Sequence, residues 1–134
     1  MKKLFLALSL LMVGSLGIAA STHFWRGTVL KETQVKEKWG AEPFLEKNFK
    51  NGSMSQRAKM AYSLLQMKKE FKGLSVPNLR KKLGSPDGYY FSDTIPAYMI
   101  AQAQKKGEDS WQIVFMIDKD RKVKDIFVHK NCCD

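Results

Sequence analysis

Two adjacent cysteines near the carboxyl end, Cys132 and Cys133, are the residues whose types point most directly to chemistry. They are the only cysteines of the chain, so neither can pair with a cysteine elsewhere in it. A disulfide between neighbours is strained, because adjacent Cα atoms are only about 3.8 Å apart. Pairing between chains would give a disulfide-linked dimer, whereas thiolates with His129 and Asp134 would suit copper(I) or zinc. The pair therefore predicts disulfide chemistry, a small metal site, or a tail with neither role.

A basic run and a group of aromatic residues form the second candidate site. The basic run is Arg80, Lys81 and Lys82. The aromatic residues that follow it are Tyr89, Tyr90, Phe91, Tyr98 and Trp111. Core packing explains most of this group, but exposed aromatic side chains with basic neighbours suit contacts with proteins and lipid interfaces. We therefore predict a binding surface that consists of Arg80, Lys81, Lys82, Tyr89, Tyr90 and Tyr98.

The motifs of common enzyme classes are missing from the sequence. It has two histidines, and it lacks a glycine-rich phosphate loop, a G-x-S-x-G motif and an H-E-x-x-H motif. Asp118 and Asp120 stand two residues apart in a charged turn, but the central glycine and final glutamate of a calcium loop are missing. We therefore expect a protein that is not an enzyme and that needs no cofactor.

The composition indicates one small basic domain. The chain has 134 residues and a formal net charge of +10, and its length fits one modest core. If residues 1–20 are removed, two lysines go with them and the charge falls by two to +8. Such a surplus favours anionic partners, which in an exported chain are anionic lipid or cell-wall polymer rather than nucleic acid. The alternative is that the scattered lysines only solvate the surface.

An export segment occupies residues 1–20. Two lysines precede an apolar run from Leu4 to Val13, and small residues follow up to Ala20. This order is typical of a cleaved secretory signal. The alternative is an uncleaved anchor, because residues 4–20 are just long enough to cross an apolar bilayer core of roughly 30 Å. Either reading predicts a periplasmic or envelope-associated protein, and no cysteine near this junction offers a site for lipid.

Residues 21–52 are predicted to be a polar amino-terminal extension of the domain. A short helix is expected within residues 28–39, because Gly40 would end it. Three apolar side chains beyond it are expected to dock on the domain. These are Phe44, Leu45 and Phe49.

Residues 53–134 are predicted to form the domain itself, and its first part contains two helices. The first helix begins at a capping box of Ser53 and Gln56. Its apolar residues recur at steps of three or four, which places them on one face. They are Met60, Leu64, Met67 and Phe71. A shorter helix runs from Ser75 to Gly84.

The second part of the domain has the alternating pattern of strands. Strands are expected within residues 89–103, 111–117 and 123–129, with a charged hairpin between the last two. Helices followed by strands indicate an α+β fold, with two amino-terminal helices packed on one face of a three- or four-stranded antiparallel sheet. Val114 and Met116 fall on the other face, which we expect the extension or a partner to cover.

Four stretches of the domain have a family resemblance. Residues 57–65 are R-A-K-M-A-Y-S-L-L, residues 79–87 are L-R-K-K-L-G-S-P-D, residues 97–100 are A-Y-M-I, and residues 114–118 are V-F-M-I-D. They resemble the first helix, the second helix with its LG-x-PD turn, and the strands of the SmpA/OmlA family. These small BamE-like envelope lipoproteins assist the assembly of outer-membrane β-barrels. The resemblance implies an ααβββ unit, also found in β-lactamase-inhibitor proteins, and a non-enzymatic module without the lipidated cysteine of the family.

The sequence therefore predicts an exported binding or scaffold module that contacts another envelope protein or an anionic surface. The alternative prediction is a redox or metal-handling protein that acts through Cys132 and Cys133, with His129 as a further ligand.

Overall fold

A computed structural model describes residues 27–131, so the predicted export segment and both cysteines lie outside the described residues. The strands are β1 (Val29–Leu30), β2 (Ala97–Ala101), β3 (Ser110–Ile117) and β4 (Val123–Asn131). The helices are α1 (Glu32–Trp39), α2 (Glu46–Asn51), α3 (Met54–Gln66), α4 (Lys68–Phe71) and α5 (Val76–Leu83). This arrangement confirms the α+β class. None of these described helices has the length and apolar character needed to cross a bilayer.

The four strands form one antiparallel sheet in the order β1-β4-β3-β2. The hairpin of β3 and β4 is its centre, where Val114 lies opposite Phe127. A register shift interrupts this pairing between Met116 and Ile117. The fourth strand, β1, comes from the predicted extension and places Val29 opposite His129.

The predicted helix starts are formed by side-chain caps. The Ser53 N–H donates to Gln56 Oε1 at 2.8 Å, and the Gln56 N–H donates to Ser53 Oγ at 3.3 Å, which closes the capping box of α3. The Ser75 Oγ caps α5 by accepting from the Asn78 N–H at 3.4 Å, and Gly84 ends that helix with a φ of 85°. The first predicted helix is divided, because α3 ends before Met67 and α4 begins after it.

One apolar core joins the helices to the sheet. Trp111, Ile113 and Phe115 are alternate residues of β3, and all three belong to this core. The helices supply the other side, and the Phe71 ring of α4 lies 5.7 Å from the Phe115 ring. The main helical contributors are Ala58, Met60, Ala61, Leu64, Leu65, Leu79 and Leu83.

The predicted extension is part of this core. Val35 of α1 and Phe49 of α2 are fully buried, and the Trp39 ring packs edge-on against Trp111 at 6.0 Å. Phe44 also packs against the core. Leu45 does not dock as expected: its side chain remains 56% exposed at the position before α2. The interior of the domain therefore needs residues 29–51 as well as the two predicted helices.

The opposite face of the sheet has a smaller apolar cluster. Val114, Phe127 and Ala97 contribute from the strands, and Tyr90 packs over them. Ile95 adds to the same cluster. Within the described residues, the cover on this face is the loop between α5 and β2. An apolar second face is confirmed. The described residues that cover it lie in a loop expected to be strand, whereas the extension or a partner was expected to cover it.

Candidate functional site

The predicted basic run lies on the outer side of α5. Leu79 and Leu83 anchor this helix in the core, which leaves Arg80 and Lys81 exposed to solvent. Helix α2 lies against α5, and the Lys50 Nζ donates to the Lys81 carbonyl oxygen at 3.1 Å. We call Lys50, Arg80, Lys81 and Lys82 the basic surface.

The charge of the basic surface is only partly neutralised. Lys82 Nζ lies 3.2 Å from Glu46 Oε2, and both side chains are about half exposed. The cations of the last turn of α5 also complement the partial negative charge of the helix carboxyl end. Within residues 27–131, no ion pair joins a carboxylate to Lys50, Arg80 or Lys81. Three cations therefore remain available to an anion. Lys50 was not predicted as a site residue, because its segment was expected to be a polar extension of the domain.

Two of the predicted binding tyrosines are buried instead. Tyr98 is fully buried, and its hydroxyl donates to the Gly84 carbonyl oxygen at 2.8 Å. Burial raises the pKa of the Tyr98 phenol, although the charges of Arg80 and Arg57 oppose the shift. Tyr90 is 3% exposed, and its ring packs on Phe127 at 5.5 Å. Burial excludes direct contact of Tyr98 with a partner and leaves Tyr90 almost none, so the prediction was wrong for both.

The exposed aromatic side chains flank Tyr90. Tyr89 is 55% exposed and Phe91 is 67% exposed. Phe91 has a φ of 54°, and the Ser92 N–H donates across it to the Tyr90 carbonyl oxygen at 2.6 Å. This is a γ-turn with positive φ, a strained conformation for a bulky residue. Phe91 was not predicted as a site residue, since nothing in the local sequence distinguishes it from its two tyrosine neighbours.

A buried glutamine holds this turn against the sheet. Gln112 is fully buried in β3, and its Oε1 accepts from the Tyr89 N–H at 3.0 Å. Its Nε2 donates to the Tyr89 carbonyl oxygen at 2.7 Å. The same Nε2 lies 3.3 Å from His129 Nδ1. Because Nε2 is a donor, the neutral His129 accepts at Nδ1 and has its proton on the other ring nitrogen.

His129 is therefore a structural residue in this fold. Its Nδ1 faces Gln112, and a Cβ added at Gly27 would lie 2.6 Å from its Nε2. Because Gln112 engages Nδ1, only Nε2 could bind a metal ion, and the role of His129 as a metal ligand stays a prediction. Among residues 27–131, no group of three or more His, Cys, Asp or Glu side chains is placed to hold a metal. Cys132 and Cys133 lie outside the described residues, and their disulfide chemistry stays a prediction.

The burial of His129 makes stability depend on pH. Burial lowers its pKa below the ordinary value of 6.5. As pH falls below 6.5, the unfolded chain binds a proton that folded His129 does not, so the free energy of unfolding decreases. The decrease is at most about 1.4 kcal/mol per pH unit, and urea denaturation between about pH 7.5 and 5.5 measures it. His129→Gln should remove this slope and His23→Gln should keep it; an unchanged slope in His129→Gln would refute the assignment.

A second polar cluster closes the free edge of β2. Asp87 Oδ1 accepts from the Met99 N–H at 2.9 Å, and Asp87 Oδ2 lies 2.9 Å from Arg57 Nη1. Arg57 also reaches the Met99 carbonyl oxygen at 3.4 Å and the Phe49 carbonyl oxygen at 3.4 Å. The pair thus satisfies backbone groups that a neighbouring strand would otherwise bond. The contact between Arg57 and Asp87 was not predicted from the sequence.

Hydrogen bonding within the fold already engages both polar clusters. His129 and Gln112 hold a loop, and Arg57 and Asp87 cap an edge strand. Within residues 27–131, the candidate surfaces for binding other molecules are the basic surface and the exposed side chains of Tyr89 and Phe91. No family model, curated protein or solved structure matches the chain. The resemblance to the SmpA/OmlA family therefore stays a prediction.

Proposed function

We propose that this protein is an exported, non-enzymatic binding module of the cell envelope. The basic surface contacts an anionic envelope surface, such as anionic lipid or a cell-wall polymer, or an acidic face of another envelope protein. The single observation that supports this proposal is the packing of α2 against α5. It adds Lys50 to the exposed run of Arg80, Lys81 and Lys82, with Glu46 as the carboxylate partner of Lys82.

The rigidity of the basic surface favours binding over mere solvation. Leu79 and Leu83 hold one side of α5 in the core, and Phe49 holds the adjacent residue Lys50 in α2. The cations therefore stand on two anchored helices, so less conformational freedom is lost when an anion binds. Solvating lysines elsewhere, such as Lys105 and Lys106, lie in a loop.

The order of elements supports the finer architecture that we propose. Helices α3 and α5 followed by β2, β3 and β4 have the ααβββ order that the resemblance to the SmpA/OmlA family implies. We infer that both helices lie on one face of the sheet, because Leu64 of α3 and Leu79 of α5 belong to the same core as Phe115. The elements β1, α1, α2 and α4 are additions to that unit. A scaffold role in the envelope follows from this resemblance and is part of the proposal.

Replacing Arg80, Lys81 and Lys82 together by alanine is expected to weaken binding to vesicles that contain phosphatidylglycerol. Each basic residue near an anionic membrane contributes about 1 kcal/mol, so the loss is on the order of a hundredfold in affinity. Co-sedimentation at low salt measures it, and added salt should weaken wild-type binding.

A matched control removes three charges elsewhere. The variant Lys105→Ala, Lys106→Ala and Lys119→Ala has the same net charge as the first, and its three positions are also exposed. It should retain most of the binding. Equal losses of vesicle-binding affinity in both variants would mean that net charge drives binding without a defined surface. Unchanged binding in the first variant would refute the lipid version of the proposal.

A further inference from the structure

An asparagine followed by a glycine ends α2 beside the basic surface. Asn51 is the last residue of α2 and is exposed, and Gly52 follows it at the carboxyl cap. The end of α2 lies against the end of α5, because a Cβ added at Gly84 would be 3.7 Å from the Lys50 carbonyl oxygen. Asn51 is therefore adjacent to one cation of the basic surface and close to the helix turn that holds the others.

Asn51 and Gly52 have the residue types that favour deamidation. The side-chain amide carbon of an asparagine is an electrophile, and the backbone nitrogen of the next residue can attack it to close a succinimide ring. Glycine in the next position favours this attack, because it has no side chain to hinder the approach and its backbone rotates freely. Asn48 of the same helix precedes the bulky Phe49 instead. The sequence chemistry therefore singles out Asn51 within α2.

The end of α2 does not hold the attacking nitrogen in place. Gly40 and Gly84 end α1 and α5 with an N–H that donates to a carbonyl oxygen of the last turn, whereas Gly52 has no such capping bond. Ring closure requires a backbone rotation at Asn51 out of the helical conformation. The last residue of a short helix makes this rotation most easily when its cap is not bonded.

The packing of the helices requires the glycine that makes Asn51 reactive. A Cβ added at Gly52 would collide with the Asn48 carbonyl oxygen and would lie 3.0 Å from Gln56 Oε1. That same Oε1 accepts from the Ser53 N–H in the capping box of α3. A larger residue at position 52 would therefore displace the start of α3, so the fold itself keeps a glycine after Asn51.

We propose that Asn51 is a site of spontaneous deamidation, and that this modification weakens the basic surface. The Gly52 nitrogen loses its proton and bonds to the Asn51 side-chain carbon, and ammonia leaves. Water then opens the succinimide to aspartate or isoaspartate, so a carboxylate replaces a neutral amide beside Lys50. This negative charge also opposes the partial negative charge at the carboxyl end of α2. The effect on binding rests on the proposed function, which the modification would regulate.

The chemical step is tested by mass spectrometry of peptides from the folded protein after incubation at mildly alkaline pH. Asn51 should show the mass change of an NH2-to-OH exchange, with isoaspartate among the products. Asn48 is the internal control, since it is also exposed in α2 but should keep its amide. A synthetic peptide of residues 48–55 gives the rate without the fold. An intact Asn51 after the peptide has been deamidated would overturn the proposal.

The effect on the basic surface is tested separately by binding to vesicles that contain phosphatidylglycerol. Asn51→Asp should weaken binding about fivefold, which is the contribution of one basic residue near an anionic membrane. Gln102→Glu adds the same charge at an exposed position of the loop between β2 and β3 and should change binding little.

The outcomes distinguish this inference from the proposed function. If the triple replacement on α5 weakens vesicle binding but Asn51→Asp does not, the regulatory effect of Asn51 is overturned and the proposed function stands. If neither change weakens binding, the proposed function fails and this effect fails with it, whatever the mass spectra show. Equal losses for Asn51→Asp and Gln102→Glu would also overturn the effect, because position 51 would then have no special relation to the basic surface.

Discussion

Replacing Phe49 by alanine is expected to lower the free energy of unfolding by about 3–5 kcal/mol. The Phe49 side chain is fully buried, and its ring lies 5.7 Å from that of Tyr98 and 5.9 Å from that of Phe44. The Arg57 guanidinium lies 5.6 Å from the ring centre. Truncation to alanine therefore leaves a cavity between α2 and the sheet, and urea denaturation measures the cost.

Leu45 provides the control for this prediction within the same segment. It lies four residues before Phe49 and is largely exposed, so Leu45→Ala should change stability by less than about 0.5 kcal/mol. The contrast tests whether residues 29–51 belong to the domain. A loss below about 1 kcal/mol for Phe49→Ala would instead indicate an extension that docks loosely.

Asp87→Ala is expected to lower the free energy of unfolding by about 2–4 kcal/mol. The Arg57 side chain is only 12% exposed, and the substitution leaves its guanidinium without a carboxylate. The Met99 N–H loses its acceptor at the edge of β2 as well. The Asp87 carboxylate is itself 46% exposed, so water replaces part of what is lost and the estimate stays below that for a buried pair.

The ion pair of Glu46 and Lys82 is the matched control. Both of its side chains are about half exposed, so Glu46→Ala should cost less than about 1 kcal/mol. A double-mutant cycle with Arg57→Ala should show strong coupling between Arg57 and Asp87. Equal effects of Asp87→Ala and Glu46→Ala would show that the edge cap contributes no more than an ordinary surface pair.

Both variants bear on the proposed function, because the basic surface depends on the elements they weaken. Phe49 is adjacent to Lys50 in α2, and Asp87 follows α5 after a short turn. Loss of either contact would displace the helices that support the cations. Vesicle binding of these variants should therefore decrease together with their stability, whereas the triple replacement at Arg80, Lys81 and Lys82 should weaken binding in a stable fold.

Some features of this protein were determined by the sequence alone, because they depend on neighbouring residues. The capping box of Ser53 and Gln56 and the cap at Ser75 predicted where α3 and α5 begin. The alternation along β3 predicted which residues face the main core. Exposure of the cations on α5 followed from the helical spacing of Leu79 and Leu83.

Other features were decided only by the tertiary structure, because they join segments that are distant along the chain. Tyr89, Tyr90 and Phe91 are alike in local sequence, but Tyr90 packs against Phe127 and His129 of β4 and is buried, whereas its two neighbours are exposed. The cap of Arg57 and Asp87 on Met99 likewise joins three separate elements. Periodicity reports which residues share a face of one element. It cannot report which other element covers that face, since burial depends on how all of the elements pack together.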